Sequence, residues 1–324
     1  MKQYTYYSNF AKRINAFIDY KRALGYAYGD SSRILREFDL FCNEKFPEKF
    51  SLDRELGLMW LERKTTEAEG SHRNRIMVIR EFAKYLCSIG EPAYLIPISM
   101  TRKPKRYMPH IFTDNELTAF FRAADSFAPH DKAPARHLVV PAFFRTVYCC
   151  GLRPSEARLL LTENVDLDRG ILNIIESKGH KDRFVPMSDD LCRLLYRYDR
   201  KVSEIFPDRR NFFPRYDGNG AYTKLWTEEM FWRCFDMAGI TDFEGASPRV
   251  YDFRHTFATN CILRWAREGK NIDAMLPFLS SYMGHVQPDD TAYYIHIIPE
   301  LYKHTVKLDV ASFEALLPEV PYED

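Results

Sequence analysis

The first hundred residues carry four apolar stripes at helical spacing. Phe10, Ile14, Phe17, Ile18 and Leu24 recur every few positions over 8–25, with Lys12, Arg13, Lys21 and Arg22 mostly off the stripe. Ile34, Leu35, Phe38 and Phe41 form a second stripe, for which Ser31 or Ser32 is a suitable cap. Leu56, Leu58, Met59, Trp60 and Leu61 predict a third helix over 52–63. Ile76, Ile79, Phe82, Ala83 and Leu86 predict a fourth over 71–88, which Gly90 stops. Its first turns carry Arg73, Arg75 and Arg80, so this small helical unit presents a basic face.

The pattern changes beyond Pro109. Thr113 and Glu116 have the spacing of a capping box ahead of Leu117, Phe120 and Phe121. A strongly apolar helix over 137–150 ends at Gly151, and Pro154 suits the first turn of the next. Between 164 and 186 the helical period is lost: Val165 and Leu167 alternate with acids, and Asp168, Arg169 and Gly170 read as a turn. Residues 171–175 and 183–186 read as two strands joined by the polar turn 177–182. Helices return around 191–205, 224–239, 251–267 and 276–283, and Phe313, Leu316 and Leu317 permit one more. The expected fold is mainly α: a four-helix N-terminal domain over 1–100, a linker over 101–109, and an α+β domain with a small antiparallel sheet over 110–324.

Composition narrows the class. With 46% hydrophobic and 28% charged residues the chain is neither disordered nor fibrous, and 15% aromatics promise a large core. No apolar run approaches the ~18 residues that span a bilayer, and the N-terminus has no signal-peptide apolar region. The seven cysteines are scattered without a CxxC pair, which rules out zinc-ribbon and thioredoxin-type sites and points to a reducing cytoplasm.

Net charge is +1, which read alone argues against a nucleic-acid partner. The sum hides a split: residues 1–108 carry +7 and residues 109–324 carry −6. The sharpest cluster lies in the proline-bearing segment 101–109, with Arg102, Lys103, Lys105 and Arg106. An extended basic linker can track a phosphate backbone; it can equally be solvated with no partner. The acids gather partly at the end, as Asp309, Glu314, Glu319, Glu323 and Asp324.

Four segments carry candidate chemistry. In GLRPSEA, residues 151–157, Arg153 sits at a helix start where guanidinium and backbone N–H groups hold anions, and Glu156 is spaced to brace it. In ESKGHKDRFVP, residues 176–186, Lys178 lies at a hairpin tip, followed by Lys181 and Arg183. In YDFRHTFAT, residues 251–259, Tyr251 and Arg254 share a helix face, while His255 points elsewhere as a structural hydrogen-bonding group. In residues 282–297, Gly284 and His285 end a helix, Tyr294 follows His285 by nine positions, and His296 lies beyond. Each has an ordinary counterpart: an ion-pair arginine, a solvated hairpin tip, a core tyrosine.

Taken in order, the four segments resemble the tyrosine recombinase, or phage integrase, family. Its pattern is an Arg in a GLR…E segment, a hairpin Lys, HxxRH, a GH pair and a Tyr nine residues later. The resemblance implies catalytic roles for Arg153, Lys178, Tyr251, Arg254, His285 and Tyr294, with Glu156 and His255 in support. The nine-residue spacing selects Tyr294 over the adjacent Tyr293. Tyr251 stands where the family most often has His; with a pKa near ~10, phenol is a poorer general base than imidazole.

The implied activity is DNA strand exchange through a 3′-phosphotyrosyl intermediate, with no metal and no cofactor, in keeping with a sequence that has neither a Walker-type loop nor a metal cluster. The N-terminal helices become a core-binding domain, with Arg73, Arg75, Arg102, Lys103, Lys105, Arg106, Lys181 and Arg183 as DNA contacts. The implied partners are double-stranded DNA, further copies of the chain in a tetramer on two DNA sites, and accessory DNA-bending proteins; the implied location is the cytoplasm, at the nucleoid. Phe313, Leu316 and Leu317 are candidates for docking on a neighbouring subunit or on their own. The first predicted helix begins close to Met1, as expected of a simple recombinase or transposase without a separate arm-binding domain. Two rivals remain: a type IB topoisomerase or telomere resolvase, and a silent DNA-binding protein in which Tyr251 marks decay.

Overall fold

The computed structural model describes residues 4–103, 107–175, 182–241, 243, 247–285, 290, 291, 293 and 294. It forms two compact units, Met1–Arg106 and Tyr107–Asp324, so the division falls inside the basic 101–109 segment.

The first unit is built from α1 (Ala11–Ala23), α2 (Gly29–Lys45), α3 (Arg54–Leu61) and α4 (Glu69–Ser88). The stripes read from the sequence meet in one core, where Phe10, Phe17, Phe38, Trp60 and Phe82 are buried. Removing such side chains from water is the main force holding four short helices together. Asp39 pins the chain start to α2: it is fully buried and accepts from the backbone N–H of Tyr7 at 2.8 Å and of Ser8 at 2.9 Å, and from the Ser8 hydroxyl at 2.7 Å. Asp53 caps α3 by accepting from the Leu56 N–H at 2.9 Å. Neither serine expected to cap α2 does so. The helix starts earlier, at Gly29, and the Ser32 hydroxyl donates back to the Tyr28 carbonyl at 2.6 Å.

The second unit begins with α5 (Asp114–Asp125), α6 (Arg136–Cys149) and the short α7 (Pro154–Leu159). The Thr113–Glu116 capping box is formed in full. A three-stranded antiparallel sheet follows, ordered β1 (Val165–Asp166), β2 (Ile171–Ile174), β3 (Arg183–Pro186), with Leu172 opposite Val185 and Ile174 opposite Arg183. Leu172, Ile174 and Val185 face inward and place the sheet against the core. Then come α8 (Asp189–Ile205), α9 (Lys224–Ala238), α10 (Asp252–Arg267) and α11 (Ile272–Met283). The last begins four residues before the expected 276, because the Asn271 side chain caps it by accepting from the Ala274 N–H at 3.2 Å.

The core of this unit is an aromatic cluster. Phe253, on the first turn of α10, lies 4.9 Å from Phe112 and 5.0 Å from Phe120, ring centre to ring centre. Burying Phe253 on one side of the turn fixes the direction of its neighbour Arg254. A second, smaller cluster joins Ala258, Cys261 and Ile262 of α10 to Leu279 and Met283 of α11, and Tyr294 belongs to it. The expected hairpin tip with Lys178 and Lys181, the linker residues Lys105 and Arg106, and the expected helix around Phe313, Leu316 and Leu317 lie outside the described residues.

Candidate active site

Three arginines converge on the end of α11. Arg183 on β3 donates from Nε to the Tyr282 carbonyl at 2.8 Å, Arg254 from Nη2 to the Met283 carbonyl at 2.6 Å, and Arg153 from Nη2 to the Gly284 carbonyl at 2.8 Å. The last carbonyls of a helix have no partner within it and carry its negative dipole end, so cations are the natural groups to satisfy them. Arg254 also donates from Nη1 to the Gly151 carbonyl at 2.7 Å. Arg153, directly before α7, and Arg254, on α10, therefore share one anchor.

Glu156 orders this group. Its Oε1 accepts from Arg153 Nη1 at 2.6 Å and Arg183 Nη1 at 3.0 Å; its Oε2 accepts from the Arg153 N–H at 2.9 Å and Arg183 Nη2 at 2.8 Å. Burial pushes the Glu156 carboxyl up, but the hydrogen bonds and charges of Arg183 and Arg153 outweigh it and hold the group below its ordinary value. Arg254 is 0% exposed, and burial pushes its guanidinium below the usual arginine value.

Gly284 turns the chain with φ +65° and presents His285, whose Nδ1 lies 2.7 Å from the Thr291 hydroxyl. Burial and the nearby charge of Arg254 push His285 down to about 4, so the ring is neutral at pH 7. The Tyr294 ring stacks parallel to it at 6.1 Å and is only 2% exposed. Burial pushes the Tyr294 phenol above its ordinary range, against the pull of Arg254. His255 does not point away from this cluster: its ring lies 5.1 Å from Tyr251 and 5.6 Å from Tyr294. Its Nδ1 is buried without a hydrogen-bond partner among the described residues, and burial holds it at about 4.

Tyr251 immediately precedes α10 and is partly exposed. Beside it and Arg153 opens a cavity of about 1030 Å³, whose wall carries Arg158, Lys224 and Arg249 together with Glu228, Glu229 and Trp232. Tyr107 lies behind α10, with its hydroxyl on Asp252.

Arginine clamp, neutral imidazole and tyrosine thus gather at the joined ends of α7, α10 and α11, as an anionic reacting centre requires. A match to the model of the phage integrase family covers residues 110–300. The chain belongs to the phage integrase family. It is a tyrosine-type, site-specific DNA recombinase, an enzyme of DNA strand transfer, which favours this reading over the silent binder and the topoisomerase. The recombinase is 28% identical over 312 residues to the putative integrase/recombinase y4rB of Sinorhizobium fredii, covering 93% of this chain and 96% of that protein. It is 26% identical to the tyrosine recombinase XerD of Haemophilus ducreyi over 68% of this chain and 70% of that one. Its fold is similar to that of the XerH site-specific recombinase in a post-cleavage complex with a palindromic difH substrate (TM-score 0.62, 18% identity, 86% and 78% of the two chains). The fold is likewise similar to that of the Tn1549 transposon integrase in complex with transposon right end DNA (TM-score 0.62, 14% identity, 94% and 98%).

Two expected DNA contacts are bonded within the recombinase. Arg75 has a side chain 5% exposed, paired with Glu67 at 2.8 Å, donating to the carbonyls of Trp60 and Glu62 and lying over the Trp60 ring. Arg183 is bonded to Glu156 and to the Tyr282 carbonyl. Arg73 is half-buried and donates to the Thr101 hydroxyl at 2.9 Å, whereas Arg102 and Lys103 are exposed. Among the described residues no group of three His, Cys, Asp or Glu side chains is placed to hold a metal ion, and no helix is long and apolar enough to cross a membrane. Sequence reasoning missed Thr291, Tyr107 and the bracing by Arg183. Only the GH pair, which demands a glycine before the histidine, hinted at the crowding there.

Proposed function

We propose that the recombinase cuts DNA through Tyr294. The phenol oxygen attacks a scissile phosphodiester; the Oη–P bond forms, the P–O5′ bond breaks, and the strand is left as a 3′-phosphotyrosyl ester. The phenol loses its proton to solvent water as it attacks, and the Lys178 ammonium gives one to the departing 5′ oxygen. Arg153 and Arg254 hold the non-bridging oxygens, where fixed positive charge stabilises the pentacoordinate transition state. His285, neutral, adds a hydrogen bond, Glu156 orients Arg153, and Tyr251 contributes a hydroxyl at the position where imidazole is usual. Because the ester keeps the energy of the broken bond, rejoining to another 5′-hydroxyl needs no external fuel.

The observation that carries this reading is the shared anchor of Arg153 and Arg254 on residues 283 and 284, directly before His285 and beside the buried Tyr294. Since Tyr294 is packed away, attack requires its side chain to turn out toward the phosphate. In the same reading the first unit and the 101–109 linker bind the duplex, with Arg102, Lys103, Lys105 and Arg106 on phosphates. Four chains act on two DNA sites in the cytoplasm, at the nucleoid, with accessory DNA-bending proteins where the element uses them. The reaction serves integration, excision or transposition of a mobile element.

The test is a nicked suicide duplex built on the ends of the DNA element that encodes the chain. A covalent protein–DNA adduct forms with the wild-type chain and is absent with Tyr294→Phe. An adduct that survives this change overturns the assignment of Tyr294.

A further inference from the structure

Arg183 was expected on a phosphate, yet its side chain is 8% exposed, less than the 13% of Arg153. Its fork is occupied on two sides. Nη1 and Nη2 grip both oxygens of Glu156, and Nε reaches the Tyr282 carbonyl. The Arg183 side chain is also packed closely against the next turn: a Cβ on Gly284 would stand 2.9 Å from Arg183 Nη1 and 3.1 Å from its Cζ. One side chain thus joins β3, the first turn of α7 and the end of α11.

Glu156 receives four N–H groups, two from Arg183 and two from Arg153. Take Arg183 away and each buried oxygen loses a donor. The carboxylate is then free to turn toward Arg153 alone or to water, and the orientation of Arg153 is no longer determined. The turn at 282–284 loses its third cation at the same time. Buried ionic groups of this kind are costly to break because the survivor stays desolvated.

We infer that Arg183 is a positioning residue for strand transfer, which holds Arg153 through Glu156 and fixes the turn that presents His285. It is not a DNA contact. The inference rests on the assignment of Arg153 to the scissile phosphate. Two parallel N–H···O bonds to a carboxylate need a planar fork, so lysine does not replace it even though it keeps the charge.

The experiment measures single-turnover adduct formation on the same nicked duplex, at saturating protein, alongside the affinity for that duplex over a salt series. Arg183→Gln slows adduct formation by about 100-fold, the scale of a misplaced reacting group. Its affinity and salt slope stay at wild-type values, and unchanged affinity also reports that the variant is folded. Arg183→Lys, a milder change in case the Gln variant does not fold, is slowed as well and gives no rescue. A lysine variant with the wild-type rate overturns the inference. So does a glutamine variant that cleaves normally at saturation but binds more weakly, with a salt slope smaller by about 1, as expected when a cation is taken off a phosphate. Failure of the underlying assignment looks different: the wild-type chain itself then forms no adduct, or Arg153→Lys forms it at the wild-type rate.

Discussion

The Tyr107 hydroxyl donates to Asp252 Oδ2 at 2.5 Å and ties the start of the second unit to the first residue of the helix that bears Arg254. The Arg249 guanidinium lies 3.8 Å over the Tyr107 ring, and the Tyr293 hydroxyl donates to the Tyr107 carbonyl at 3.4 Å. Asp252 is fully buried, its Oδ1 has no hydrogen-bond partner among the described residues, and burial raises its carboxyl above the ordinary value. Tyr107→Phe keeps the ring under Arg249 and removes one donor from a buried carboxylate, whose Oδ2 retains the Arg249 N–H at 2.8 Å. Urea denaturation should show a loss of about 1–3 kcal/mol. An unchanged midpoint would mean that this bond stabilises nothing.

Gly151 has φ +56°, and a Cβ there would run into the Phe257 ring. Its carbonyl is also one of the two that hold Arg254. Gly151→Ala therefore carries a backbone strain of about 1–2 kcal/mol and a steric cost of about 1–3 kcal/mol. Only the second is relieved by making room. Gly151→Ala with Phe257→Leu should recover part of the stability relative to Phe257→Leu alone, as read from thermal unfolding, and never all of it. Complete recovery would show that the left-handed backbone costs nothing at this position.

His255 and His285 are both pushed from an ordinary 6.5 down to about 4. Between those values the unfolded chain binds more protons than the folded one, so stability is complete above about 6.5 and falls as pH drops toward about 4. The expected loss by pH 5 is roughly 1–2 kcal/mol for each ring. Thermal midpoints at pH 7 and pH 5 measure it. The double variant His255→Asn, His285→Asn should lose less on acidification than the wild type; an equal loss would put the acid sensitivity elsewhere.

Basic residues of the first unit divide into two kinds. Arg75 is locked to Glu67, so Arg75→Gln should destabilise by about 3–5 kcal/mol and leave the salt slope of DNA binding alone. Arg102 is 82% exposed, with a long contact of 3.5 Å to Glu69. Changing Arg102, Lys103, Lys105 and Arg106 together to Gln should reduce the salt slope by about 0.9 for each phosphate left without its cation. The matched control changes Arg193, Arg197, Arg200 and Lys201, all on α8. Equal slopes in the two sets would remove the linker from the DNA-binding surface.

What the sequence made legible was local. Helices with a clear apolar stripe, the Thr113–Glu116 box and the Arg153–Glu156 pair all follow from residues three or four apart, a distance at which spacing dictates contact. The order of Arg153, Arg254, His285 and Tyr294 was legible too, since that pattern is linear. Misreadings came where the partner is remote. Arg183 meets Glu156 across 27 positions, and nothing in FVP or SEA announces it. Arg75 was misplaced on the basic face although it stands four before Ile79 and next to Ile76, within the buried stripe of α4. His255 was expected to point away because one residue along a helix turns the side chain by about 100°. Tyr294 comes round to meet it from another segment.

The three carbonyls at the end of α11 have one more implication. Their partners Arg183, Arg254 and Arg153 lie 99, 29 and 131 positions upstream. Every buried residue of the aromatic core lies at or before Phe253 and is synthesised earlier. Contacts that close long loops form late, and chains emerge from the ribosome N-terminus first. The arginines of the clamp are therefore made before the turn that completes their packing exists. Under the proposed function, the nascent chain cannot become competent for strand transfer before that turn is made.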